Sequence, residues 1–186
     1  MAWWWRSKRS DTATAADEAA RPSAAAPSHL LRPIEPRDDP EIERILRSVM
    51  TEIGVTGAGS SMGDAEVGCM SAAYSTPRSA YFVVESDGRV VGGGGIGPLQ
   101  GGAFELCELR KMYFLPEARG HGTGARLLNQ CLRAARGFGY RVCYLETATS
   151  MQHAQSLYSK SGFTQLPKPV GATGHFGCDR YFALEL

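Results

Sequence analysis

Between Lys111 and Arg136 the chain reads K-M-Y-F-L-P-E-A-R-G-H-G-T-G-A-R-L-L-N-Q-C-L-R-A-A-R, and this stretch limits the fold more than any other. An apolar run stops at Pro116, and glycines alternate at 120, 122 and 124. Leu128, Cys131, Leu132 and Ala135 then repeat at helical spacing before Gly137 and Gly139. The pattern predicts a strand over 104–115, a tight loop, and a helix over 122–136. Without Cβ atoms, the loop glycines let main-chain N–H groups approach a bulky anion. The helix start adds unpaired donors and partial positive charge, and each charge-assisted bond contributes about 1.5–3 kcal/mol. With Arg119 as a fixed cation, the loop reads as a pyrophosphate cradle. The alternative is an ordinary strand-to-helix turn, which needs fewer glycines.

The remaining segments arrange around this unit. His29 to Glu35 is a short extended stretch broken by Pro33 and Pro36. Asp39 before Pro40 reads as an N-cap with proline at the first helical position. Ile42, Ile45, Leu46, Val49 and Ile53 form that helix's stripe, which Gly54 ends. A Gly/Ser loop over 57–63 precedes a weaker helix carrying Val67, Met70 and Tyr74 on one face. Strands over 81–85 and 89–96 flank Asp87-Gly88, a strong hairpin signal. Val142 to Leu145 is an unbroken apolar run, as expected of a central strand buried on both faces. Thr149 and Gln152 have capping-box spacing and open another helix, closed by Gly162, and Tyr181 to Leu186 is the last strand. The order β, α, α, β, β, β, α, β, α, β, β describes an α/β domain with a mixed sheet, not a doubly wound one.

Other classes are excluded on chemistry. Gly92, Gly94 and Gly97 satisfy G-x-G-x-x-G, but Pro98 follows and no helix opens, so a dinucleotide site lacks its context. A formal charge of +1 argues against nucleic acid as a partner, and no apolar run approaches the roughly 18 residues of a membrane span. The 5 cysteines, at 69, 107, 131, 143 and 178, are odd in number and unevenly spaced. They read as buried thiols in a reducing compartment, the cytoplasm. His175 and Cys178 lack a second ligand pair, so no metal site is expected. Residues 1–28 contain no Leu, Ile, Val or Phe and read as a disordered tail before a domain over 29–186. Trp3, Trp4 and Trp5 beside Arg6, Lys8 and Arg9 leave an interface or targeting role open for that tail.

Arg119-x-x-Gly122-x-Gly124 and Ala154-Gln-Ser-Leu-Tyr-Ser-Lys-Ser-Gly-Phe163 stand in order, about thirty residues apart. These two segments resemble the R/Q-x-x-G-x-G/A and A-x-x-L-Y-x-K-x-G-F motifs of the GNAT superfamily of N-acetyltransferases. The resemblance covers residues 30–186. It implies the acyl-CoA N-acyltransferase fold, a twisted mixed sheet of six or seven strands with about four helices. It also implies acetyl-CoA as co-substrate, with the pyrophosphate on Arg119, Gly120, His121, Gly122, Thr123, Gly124 and Ala125. The pantetheine is then expected along Met112, Tyr113 and Phe114, wedged against 142–146, with a main-chain N–H near Met112 on the thioester oxygen. Many family members carry Asn where this chain has Met151, so that amide contact to the pantetheine arm is either missing or supplied by Gln152 or a backbone group.

Acetyl transfer to an amine needs a base for the ammonium and an acid for the leaving thiolate, each contributing about 10²- to 10⁴-fold. Tyr158 shares a helical face with Ala154, Leu157 and Ser161, so the residues alone allow either packing or acid catalysis; the resemblance implies the acid. Glu108 lies eleven residues before Arg119, where the histone-acetylating branch of the family has its base. Glu146 and a water chain are the rivals. The glycine-rich stretch over 171–180 is longer than a hairpin needs, and its His175 and Asp179 are candidate acceptor contacts. Asp64, Glu66, Glu108, Glu146 and Asp179 would favour a cationic amine. The expected activity is direct acetylation of a small-molecule primary amine by a monomer or homodimer. A non-catalytic acyl-CoA sensor, a protein amine as acceptor and a dinucleotide oxidoreductase are the competing readings.

Overall fold

The computed structural model describes residues 29–56 and 60–186; the tail and residues 57–59 of the Gly/Ser loop lie outside the described residues. Seven strands form one sheet: β1 (Leu30–Pro33), β2 (Ala80–Ser86), β3 (Arg89–Pro98), β4 (Leu106–Phe114), β5 (Val142–Thr147), β6 (Thr164–Leu166) and β7 (Arg180–Glu185), in the order β1-β2-β3-β4-β5-β7-β6. Every pairing is antiparallel except β4 with β5. The helices are α1 (Asp39–Glu52), α2 (Met70–Ala73), α3 (Thr123–Gly137) and α4 (Gln152–Lys160). None of the described helices is long and apolar enough to cross a membrane. The mixed α/β sheet and helix count match the sequence expectation.

Strand β3 explains its own glycines. Gly94 faces Leu127 of α3 on one side of the sheet, while Gly95, the next residue, faces the ring of Tyr74 on the other. Alternation along the strand therefore places α3 and the α1/α2 pair on opposite faces. Tyr81 lies across Gly93 and Gly95, and Phe114 across Gly92, so these glycines make room for aromatic rings. Gly95→Ala is expected to cost about 1–3 kcal/mol, read as a lower urea midpoint, because its Cβ would sit 2.6 Å from the Ala80 carbonyl oxygen.

Helix α1 buries Ile42, Ile45, Leu46, Val49 and Met50, each contributing about 1.5–3 kcal/mol of transfer free energy. Two capping expectations are corrected. The carboxylate of Asp39 does not cap α1; it accepts from the Ser71 N–H (2.7 Å) and hydroxyl (2.6 Å), tying α1 to α2. Thr149 does not cap α4, whose N-cap is Met151, because its hydroxyl and N–H are taken by Asp179. The second helix shortens to a single turn after a 3-10 stretch over Ala65–Gly68, although Val67, Met70 and Tyr74 are buried as expected. All cysteines are free; Cys107, Cys131 and Cys143 are buried, but Cys69 is exposed.

Strand β4 is irregular in two places. Gly93 pairs with Tyr113 but Gly95 with Arg110, so Lys111 and Met112 together oppose Gly94 in a bulge. Lys111 adopts φ 53°, and its carbonyl oxygen accepts a 3.0 Å bond from the Tyr81 hydroxyl. Ahead of the bulge, after Glu108, β4 and β5 separate. They pair only at Leu106–Val142, Cys107–Cys143 and Glu108–Tyr144, although β4 runs on to Phe114 and β5 to Thr147.

Candidate active site

The separation of β4 and β5 opens a cleft of about 760 Å³ that runs from the loop before α3 to α4. Met112, Tyr113 and Phe114 line one wall, Met151 and Tyr158 the other, and Gly120 and Gly124 the far end. Gly120 (φ 81°) and Gly122 (φ 71°) are left-handed, a conformation that disfavours any side chain. The first intrahelical bond of α3 is Arg126 N–H to Gly122 O, which leaves the amides of Thr123, Gly124 and Ala125 without a helical acceptor. No side chain caps them. The Thr123 side chain is turned inward to His29 Nδ1 at 2.6 Å. His121 packs edge-on against the His29 ring and stays exposed outside the cleft, and Ala125 is half-buried on α3.

Arg119 lines the cleft beside Gly120. Its guanidinium forks onto Glu52 at 2.7 and 2.8 Å, and Nε donates to the Phe114 carbonyl oxygen at 2.9 Å. These bonds brace the loop against α1 and β4 and offset the Arg119 charge with that of Glu52. Glu52 also lines the cleft.

At the opposite end, Tyr158 is 6% exposed, with its ring against Phe163 and Phe182. Its hydroxyl has no hydrogen-bond partner among the described residues. It borders both the main cleft and a small cavity edged by Lys111, Glu146 and Cys178. Burial pushes its pKa above the ordinary tyrosine value, so the proton stays on oxygen.

Beyond that cavity lies a polar pocket of about 350 Å³ bordered by Asp64, Glu66, Glu108, Arg110 and His175. Glu108 and Glu146 project from the two strands where they part, their side chains 6% and 4% exposed. The Glu146 carboxylate accepts from Tyr144 (2.8 Å) and Thr173 (3.0 Å). Glu108 accepts no hydrogen bond among the described residues. Arg110 Nε stands 3.2 Å away but misaligned, and is itself a buried donor without a partner. Burial raises the Glu108 pKa from 4.5 to about 7 against the pull of Arg110 and His175. Lys111, turned inward by the bulge, pairs with Asp64 and, at 3.2 Å, with Glu66. His175 Nε2 lies 3.0 Å from Asp64 and is held above its ordinary pKa by that contact.

Of the residues singled out from sequence, Met112, Tyr113, Phe114, Arg119, Gly120, Gly124 and Tyr158 share the cleft, and Glu108, Glu146 and His175 lie close to one another. Asp179 does not join them. It is exposed and holds the Thr149 N–H at 2.7 Å and the Thr149 hydroxyl, which keeps its pKa below the usual carboxylate value and pins the loop before α4 to β7. Sequence reasoning does not foresee that Lys111 turns inward to Asp64 and Glu66. A lysine at positive φ inside a strand carries no local signature.

Comparison with known proteins agrees with this architecture. The profile of the Acetyltransferase (GNAT) family matches residues 51–163. An uncharacterised N-acetyltransferase of Escherichia coli, YjgM, is 41% identical over 160 residues, covering 86% of this chain and 96% of the relative. A GNAT-family acetyltransferase from Staphylococcus aureus superposes with a TM-score of 0.76 at 16% identity, over 85% of this chain and 99% of that one. The Salmonella typhimurium protein yncA, solved with its cofactor acetyl-CoA, superposes with a TM-score of 0.65 at 21% identity, over 84% and 93% of the two chains. With the profile spanning more than half of the sequence and a relative of this identity along nearly its whole length, the chain belongs to the GNAT family of acetyltransferases.

Proposed function

We propose that the chain transfers an acetyl group from acetyl-CoA to the primary amine of a small polar molecule, by direct attack on the thioester. The observation that carries this reading is the parting of β4 from β5 after Glu108, which leaves an unpaired strand edge between a helix start rich in free amides and the Tyr158 hydroxyl. In this reading the amides of residues 120–125 hold the diphosphate, and the free edge of Met112 to Phe114 holds the pantetheine arm. The structure of yncA with its cofactor acetyl-CoA supports the choice of carrier.

Glu108 takes the proton from the acceptor's ammonium, and the amine forms the new C–N bond. A main-chain N–H beside Met112 carries the charge that develops on the thioester oxygen. Tyr158 gives its proton to sulfur as the C–S bond breaks, leaving the amide and the free coenzyme thiol. Glu108 is preferred to Glu146 because its carboxylate is free of hydrogen bonds, while the other already accepts two. The acceptor pocket is polar and about 350 Å³, suited to a small cationic molecule.

A panel of small amines with acetyl-CoA, followed by thiol release, tests this. Release well above hydrolysis with at least one small amine is expected. Tight coenzyme binding with no release for any small amine or amino-terminal peptide would instead indicate a sensor.

A further inference from the structure

Where β4 and β5 part, two buried carboxylates face a single imidazole. His175 Nδ1 lies 3.9 Å from Glu108 and 3.9 Å from Glu146, while Nε2 is 3.0 Å from Asp64. Side-chain exposure rises along this line, from 6% and 4% at the glutamates to 14% at His175 and 29% at Asp64. The acceptor pocket is bordered by Glu108 and His175, and the small cavity at Tyr158 by Glu146, so the imidazole stands at the partition between them. We propose that His175 is the group through which Glu108 exchanges its proton with solvent, receiving it at Nδ1 and releasing it from Nε2 toward Asp64.

The inference rests on Glu108 being the base. Once the ammonium N–H has broken and the Glu108 O–H has formed, the carboxyl must be emptied before the next turnover. Starting from the neutral imidazole that carries its proton on Nε2, the Glu108 O–H breaks as Nδ1–H forms, and Nε2–H breaks toward the Asp64 carboxylate and water, which restores a neutral imidazole. A separation of 3.9 Å exceeds a hydrogen bond, so the hand-over runs through one bridging water or a small shift of the loop. Gly171 and Gly174, at φ 79° and 77°, flank Thr173 in that loop.

The other groups facing the pair are unsuited to the task. Arg110 and Lys111 from β4 are held in ion pairs by Glu66 and Asp64. Tyr144 from β5 donates to Glu146, and burial pushes its pKa up. Cys178, on the same loop, is pushed up to about 12. His175 is raised from its ordinary value by Asp64, and of these groups it alone contacts both Glu108 and Asp64.

The test follows the Glu108 carboxyl by carbon-13 shifts between acid and alkaline pH in the full chain, without ligand. His175→Asn removes a cation, so the Glu108 midpoint is expected to rise by about one unit; Glu146→Gln removes a like charge, so it should fall. His175→Ala is expected to lose about tenfold or more in kcat/KM with the best amine of the panel and to regain activity with added imidazole. A Glu108 midpoint that does not move in His175→Asn, or no rescue by imidazole, overturns the relay. If Glu108 in the unaltered protein does not titrate near neutrality, the base assignment itself fails, and the two failures are thereby separated.

Discussion

Replacing Tyr158 by Phe should slow acetyl transfer by about 10²- to 10⁴-fold while leaving the Kd for coenzyme A within about twofold. The substitution keeps the ring that packs on Phe163 and Phe182 and removes only the hydroxyl. That hydroxyl has no protein partner among the described residues, so nothing in the fold depends on it. Its loss leaves the departing thiolate to be protonated by water. Steady-state thiol release together with coenzyme titration gives both quantities. Unchanged turnover would remove Tyr158 from the chemistry, and a matching loss of coenzyme affinity would make it a binding residue.

Glu108→Gln has the second large effect, again about 10²- to 10⁴-fold in kcat/KM at neutral pH. A base must be ionised to act. With the Glu108 pKa raised to about 7, activity of the unaltered protein should climb as pH rises through that value and level off above it. The amide cannot ionise, so the acid limb should disappear and the residual rate should follow the free amine of the acceptor. An acid limb unchanged in Glu108→Gln would transfer the role to Glu146 or to a water chain. The change is nearly isosteric, and Glu108 makes no hydrogen bond that the amide would break, so loss of fold is not the expected cause.

Much of the scaffold is written in local sequence. Asp87 and Gly88 both take positive φ at the β2–β3 turn, as an Asp-Gly hairpin requires. Pro116 ends β4, and the alternating glycines start α3 one residue after Gly122. Tyr158 is buried in the core and also borders the cleft.

Local patterns could not convey where distant carboxylates arrive. Asp64 reaches Lys111 and His175, 47 and 111 residues away in sequence, and Glu52 reaches Arg119 across 67. Asp39 and Thr149 look like caps, but each finds a stronger partner from another element. The bulge at Lys111 is set by the Tyr81 hydroxyl from two strands away.

The proposed chemistry requires the main-chain amides ahead of α3 and the open edge of β4 to hold a coenzyme A moiety. Isothermal titration of the folded chain with coenzyme A and with acetyl-CoA measures this directly. Saturable heat at one site per chain for both is predicted, and NAD(P) should give none. Heat from NAD(P) alone, or silence from both coenzyme A forms, would contradict it.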